Sequence, residues 1–498
     1  MGIDFYRQKW SELNQTPDVN PVSLEKLSRQ VAYSFLDYYF RDCSYESGYI
    51  DLLCEMSTFS NNASLAAPGA NALFGIIVES LCDDFESLQT DTYNRLMSQV
   101  ISYCCRIPQG VKLQQSLNKF GMFSQDDLIN RTRTIREHKT MLIREKPVKK
   151  IILLSRVTIG ADIAITSVML QRLALTFPDA GIVVIGNSRL KEVYGGNTRI
   201  KIQTAGYARH GGLLERLSTW HAILDIIEQE SKAFKQEEVI LIDPDSRLSQ
   251  LGVLPLIRPE QYFFFDSRSD TSLSKNVSMP ELANLWFNSL SDTDHFCYPR
   301  VWVPESFISK AEKFCRPLKT EHQSRMIAVN FGVGGNSRKS VGIDFEQHLL
   351  LELLKTPKTI ILLDKGYGEE ERLHTSMLTD AVQAAGYSAA DARMESPVAD
   401  NFNHGIIAVK TSIGEMAALI AGSDEYIGYD SAFQHISAAL NIPCLTVFAG
   451  SNNIRFIRRW SAHGVSSCNI VHVDTLKDRS MIDTEDIITR IMHVRTTY

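Results

Sequence analysis

The sequence has no run approaching ~18 consecutive apolar residues. Its start, Met1-Gly-Ile-Asp-Phe-Tyr6, lacks both an apolar signal core and the Ser/Thr that a myristoylation motif wants at its sixth position. A soluble, unsecreted, cytoplasmic protein is the expectation. Paired cysteines are missing as well. The nine cysteines, at 43, 54, 82, 104, 105, 297, 315, 444 and 468, are odd in number and never spaced C-x-x-C, which argues against a zinc ribbon or a disulfide framework. The vicinal Cys104 and Cys105 have no second pair or His at ligand spacing, so they read as reduced packing residues and no metal site is expected. An excess of one charge is also absent. With 52 Lys plus Arg against 58 Asp plus Glu, the net charge of −6 excludes a whole-chain grip on nucleic acid.

What is present suits a globular chain: 44% hydrophobic and 22% charged residues exclude disorder and low complexity. At ~150 residues per domain, 498 residues predict about three domains. Residues 1–146 carry apolar residues at spacings of three and four, as in Leu27, Val31, Phe35, Tyr38 and Tyr39 after a cap at Ser23. Further helices are expected near 46–58, 71–87, 89–106, 111–121 and 124–140, with no clear internal repeat. The stretch 131–150 holds Arg131, Arg133, Arg136, Lys139, Arg144, Lys146, Lys149 and Lys150 against Glu137 and Glu145. It is either a basic collar for anionic lipid or substrate, peripheral to the inner membrane, or a solvated helix end and linker.

Beyond 149 the texture changes to short β-rich runs alternating with helical patterns. Runs at 151–154, 182–185, 200–202, 239–242 and 262–265 form one series; runs at 326–330, 359–363, 406–409, 425–427, 444–448 and 470–473 form another. Such alternation predicts two doubly wound parallel sheets, over 147–317 and 318–498, joined near a charged stretch at 305–324. Ligands of such folds bind at the carboxyl ends of strands, so a cleft between two sheets is the expected site.

Three patches can carry chemistry. The first strand runs into Val157-Thr-Ile-Gly160-Ala-Asp162; Asp162 at this turn is either a general base for a hydroxyl or a helix cap. The second series opens with Phe331-Gly-Val-Gly-Gly-Asn-Ser-Arg-Lys339, where Gly334 and Gly335 can present amides, and Arg338 and Lys339 charge, to a diphosphate. Arg338 stands where a P-loop needs Gly, and the third glycine of G-x-G-x-x-G is missing, so both of those fingerprints fail. Near the end, Asp430-Ser431-Ala432-Phe-Gln-His435 opens a helix after a strand ending at Gly428. Free amides at such a start cradle phosphate, with Asp430 as cap and His435 as a phosphate or sugar ligand; a capping Asp and a satisfied His are the alternative. Asp243-Pro-Asp245-Ser-Arg247, also after a strand, reads as either an acceptor contact or a capped turn.

In this order and spacing the patches resemble glycosyltransferase family 9, the ADP-heptose:lipopolysaccharide heptosyltransferases, over about 149–498. The matching residues are Arg156, Gly160, Asp162 and Thr166-Ser167, then Phe177-Pro-Asp-Ala180, Gly334 to Lys339, Glu415-Met-Ala-Ala-Leu-Ile420, and Asp430 to His435. The resemblance implies a GT-B architecture of two Rossmann-like α/β domains facing a cleft. It also implies an inverting, metal-independent transferase using a nucleotide sugar, ADP-sugar favoured, as substrate with no cofactor. Asp162 would be the base and Lys339 the cation on the leaving diphosphate, helped by amides of Gly334, Gly335, Ser431 and Ala432. Glu369 or Glu370 falls at the ribose-binding acid, and Val409 to Thr411 at the base. The acceptor would be a saccharide or glycolipid of a bacterial surface glycan such as lipopolysaccharide. Against this stand a protein acceptor recognised by the helical part, and a non-catalytic nucleotide-sugar-binding scaffold. The chain departs from the family pattern at Ala161, inserted before Asp162, at Val168 in place of Pro, at Ala432 in place of Gly, and at Ser340-Val341 in place of a basic-Trp pair.

Overall fold

The computed structural model describes residues 2–16, 19–42, 44–60, 62–81, 87–137, 147–208, 210–268, 277–291, 293–321, 323–396, 402–477 and 479–496. The chain folds as two compact units. One takes in Met1–Val157, Asp179–Asn187 and Gln203–Lys275; the other Thr158–Pro178, Ser188–Ile202 and Asn276–Tyr498. Two parallel sheets carry the fold. The first, ordered β3-β2-β1-β4-β5, comprises β1 (Lys150–Leu154), β2 (Gly181–Gly186), β3 (Ile200–Thr204), β4 (Val239–Asp243) and β5 (Tyr262–Phe264). The second, ordered β12-β11-β10-β6-β7-β9-β8, comprises β6 (Arg325–Asn330), β7 (Thr359–Asp364), β8 (Ala389–Arg393), β9 (Gly405–Lys410), β10 (Glu425–Tyr429), β11 (Cys444–Phe448) and β12 (Cys468–His472).

In the first unit, helices Pro21–Asp42, Ser47–Met56 and Ser87–Arg106 fall where the apolar spacing predicts them. Helix Ile3–Asn14 was not foreseen, because its buried stripe is only Tyr6 and Trp10; Trp10 is anchored by Nε1 donating to Glu55 Oε1 at 2.8 Å. Phe35, Leu53, Met97 and Ile101 from the helices share one core with Ile152, Leu154, Val183, Ile185 and Leu241 of the sheet. These strand residues alternate along β1 and β2, so they mark one sheet face, and the helices are the layer that buries it. Trp220 sits in that core, 1% exposed, its Nε1 donating to the Pro255 carbonyl at 2.8 Å.

The basic stretch is only partly available to lipid. Arg131 is buried over the Tyr262 ring, Arg136 lies over the Phe264 ring and pairs with Asp266 at 3.4 Å, and Lys150 pairs with Glu230 at 2.6 Å. Lys139, Arg144 and Lys146 lie outside the described residues, as do Cys43 and Cys82.

In the second unit β6 lies between β10 and β7, so the chain leaves it in opposite directions; this is the topological switch where open parallel sheets bind ligands. β8 escapes sequence reading because Ala389–Arg393 has no apolar run. The charged stretch expected as a joint carries helix Glu305–Arg316, with its Lys310 Nζ 2.7 Å from Glu395 and 3.4 Å from Glu415. Among the described residues, one helix, Ile159–Thr176, is long and apolar enough to cross a membrane, and 72% of it is buried within the protein.

Candidate functional site

Asp162 lies inside this helix rather than at the turn before it, because the helix already begins at Ile159. Its carboxylate is fully buried; Oδ1 accepts from Thr166 Oγ1 at 2.9 Å, and its carbonyl accepts from the Tyr194 hydroxyl at 2.7 Å. Gly160 explains how the helix is seated. A Cβ there would stand 3.2 Å from Ala432 Cα and 3.3 Å from His435 Cδ2, so a larger residue would press on the start of helix Ala432–Ala439, against which this turn rests.

That helix start follows β10 directly. Ser431 caps it, its Oγ accepting from the Phe433 amide at 3.4 Å. Asp430 is nearly buried and pulled two ways: Oδ1 accepts from Gln434 Nε2 at 2.6 Å, and Oδ2 pairs with Lys339 Nζ. Thr446 holds Gln434 in turn, at 3.1 Å. His435 is 2% exposed and, among the described residues, its Nδ1 has no hydrogen-bond partner. Burial lowers its pKa to about 4; neighbouring Asp430 raises it and Lys339 lowers it, so the ring is neutral near pH 7.

Lys339 closes a short turn, Ser337–Lys339, after the glycine loop. Gly334 and Gly335 have φ of +60° and +85°, and the chain from 334 to 338 is exposed, Arg338 included. Asn336 caps the turn by accepting from the Arg338 amide at 3.2 Å. Gly450 packs on its far side, where a Cβ would stand 3.0 Å from the Arg338 carbonyl. The turn is thus packed against Gly450 at Arg338 and Lys339 and exposed at the glycines.

Across the ends of β6, β7 and β9 runs a network of which sequence reading named Thr411 but not Asn330 or Asp364. Asp364 accepts from Asn330 Nδ2 at 2.8 Å and from Thr411 Oγ1 at 2.9 Å, and burial raises its pKa. The available signal was an acid placed directly after an apolar run. Thr411 therefore faces its neighbours' carboxylate. A cavity of about 220 Å³ opens beside this network, lined in part by Phe331, Asp364, Glu370, Glu371 and His374. Glu369 stands outside it, in an exposed pair with Arg372 at 3.1 Å.

Within this unit the fold brings together Asp162, Lys339, Asp430, Ser431, Ala432 and His435. Glu370 lies in the neighbouring cavity wall. Among the described residues, no cluster of three His, Cys, Asp or Glu is arranged to hold a metal.

Residues 382–487, which include the Asp430–His435 stretch, match glycosyltransferase family 9 (heptosyltransferase). This stretch is similar to the family 9 glycosyltransferases. The family 9 glycosyltransferase from Veillonella parvula superposes with a TM-score of 0.51 at 17% identity, over 71% of this chain and 99% of its own, which shows the shared fold. The heptosyltransferase WaaC of E. coli, solved with ADP, gives 0.46 at 14% identity, over 69% of this chain and 99% of its own. The E. coli ADP-heptose lps heptosyltransferase II gives 0.46 at 13%, over 69% and 98%. No curated protein sequence matches the chain. The family, the glycosyltransferase class and the α/β, GT-B-type fold expected from the sequence are those the comparisons return.

Proposed function

We propose that the family 9 domain transfers a sugar from a nucleotide sugar, with ADP-heptose as the favoured donor, to a hydroxyl of a bacterial surface saccharide such as lipopolysaccharide, with inversion. The observation that carries this reading is the close approach of Gly160 to Ala432 and His435, which rests the Asp162 helix on the helix start two residues after Asp430, the partner of Lys339. In such a transfer a base takes the acceptor proton while negative charge grows on the departing diphosphate. Asp162 is the base. Lys339 and the amides opening helix Ala432–Ala439 receive the diphosphate charge, and a positioned cation with fixed dipoles stabilises it without having to reorganise. Neutral His435 adds no charge to this cradle; its unpartnered Nδ1 is available to a ligand oxygen or hydroxyl. Glu370 is the stronger candidate for a ribose contact, since it lines the cavity while Glu369 pairs with Arg372 at the surface.

The test begins with a panel of nucleotide sugars screened for thermal stabilisation, because a ligand that binds only the native state raises its apparent stability. Asp162→Asn should then abolish transfer of the selected donor's sugar while calorimetric binding of the nucleoside diphosphate stays within about threefold. Undiminished transfer by Asp162→Asn removes it from the base role.

A further inference from the structure

The geometry points to Glu346 as the positioning residue for Lys339: through the Tyr429 hydroxyl and Ser340 it fixes the backbone that carries the leaving-group cation. This inference rests on the role proposed for Lys339. Glu346, on helix Ile343–Leu354, is wholly buried. Its Oε1 accepts from the Tyr429 hydroxyl at 2.7 Å and from Ser340 Oγ at 3.1 Å; its Oε2 pairs with His374 Nε2. The Tyr429 hydroxyl in turn accepts from the Val341 amide at 3.0 Å. One carboxylate thus holds both residues that follow Lys339.

The same strand end grips the lysine itself, because Asp430, next after Tyr429, pairs with Lys339 Nζ. Lys339 is therefore bracketed: its ammonium by Asp430, its outgoing backbone by Tyr429 and Glu346. Packing alone does not call for a carboxylate here, since an apolar side chain of similar volume buries at no desolvation penalty. Ser340, whose hydroxyl makes one of these bonds, stands where the family pattern has a basic residue, while Val341 contributes its backbone amide.

Glu346→Gln removes the charge, and Tyr429→Phe removes only the hydroxyl that links Glu346 to the Val341 amide, so it tests the same link if the first variant folds poorly. Displacing a catalytic group by about 1 Å costs about 10²-fold in rate. Both variants should lose about that in kcat with donor KM within about threefold, and neither should cost more than about twofold when added to Lys339→Met. A rise in KM with kcat kept, or a full further loss in the Lys339→Met background, overturns the inference. If the wild-type protein turns over no nucleotide sugar, the transferase reading fails by itself. The bracket is then read from the ¹³C-methyl resonance of reductively methylated Lys339, assigned with Lys339→Arg. It stands if that resonance moves toward solvent-exposed lysines in both variants and falls if it stays put.

Discussion

The carboxyl ends of the two sheets hold similar inventories of charged residues and treat them in opposite ways. At the first, Asp243 is buried and accepts from the Ser246 amide at 2.7 Å, Ser249 and Tyr262; burial pushes its carboxyl up to about 6. Asp245 accepts two bonds from Arg268, at 3.1 and 3.0 Å, and one from Ser267 at 2.6 Å. Burial pushes the Asp245 carboxyl up, but Arg268, Arg156 and Arg136 outweigh it and hold it below the usual range. At the second, glycines at positive φ leave an exposed loop, one lysine is tethered by one aspartate, and a cavity opens alongside. Charge at a sheet edge is therefore a poor guide by itself. What separates the edges is whether the charges are closed on one another or leave amides and a cation accessible.

The contrast breaks most visibly through stability at the first edge. Asp245→Ala removes the buried carboxylate that accepts two bonds from Arg268, itself 4% exposed, and breaking a buried pair from one side costs about 3–5 kcal/mol. Urea denaturation should show that loss, while the folded fraction keeps its donor affinity; a loss below about 1 kcal/mol would mean that the cluster is not closed. Lys339→Met should do the reverse. Its kcat should fall about 10²–10³-fold, as when one preorganised charge-stabilising donor is removed. Its stability should fall by less than that of Asp245→Ala, because the ammonium is partly exposed and Asp430 keeps its bond from Gln434.

Much of this was legible in the sequence because parallel strands buried on both faces read as short continuous apolar runs; β1, β4, β7 and β11 are buried along their whole length. Asp162, Lys339 and Asp430–His435 stand out as candidates because glycine and charge interrupt those runs near the strand ends. The losses have equally physical causes. Helix Glu305–Arg316 reads as a linker since most of its side chains are charged or polar, yet Phe314 and Cys315 bury one side. Arg131 and Arg136 read as solvated because nothing local announces the Tyr262 and Phe264 rings over which they lie, more than a hundred residues away. Glu346 looks like any polar helix residue; only tertiary contact shows that it faces Tyr429.

Acid should sharpen the comparison through His435. Its folded pKa of about 4 lies below the ordinary 6.5, so the stability from burying the neutral ring is fully present above 6.5 and is lost as pH falls toward 4. The lost term is roughly 3 kcal/mol at most. Between pH 6.5 and 4.5 the wild-type protein should lose more stability than His435→Gln. Equal losses would mean that the ring is solvated and that the second edge is more open than its burial implies.

The smallest effect is at His374, and its sign is opposite. The hydrogen bond that His374 donates to Glu346 raises the His374 pKa, with burial opposing, and the Glu371 charge adds to the rise. A raised folded value means that the contribution is fully present below the ordinary 6.5 and is lost as pH climbs through the higher folded one. The side chain is 36% exposed, so solvent screening keeps the contribution below about 1 kcal/mol. The gap in Tm between the wild-type protein and His374→Gln should therefore be widest near pH 6 and should close by pH 8.5. A gap that widens with pH would mean that His374 is held as the neutral base, leaving Glu346 to carry its buried charge on Tyr429 and Ser340 alone.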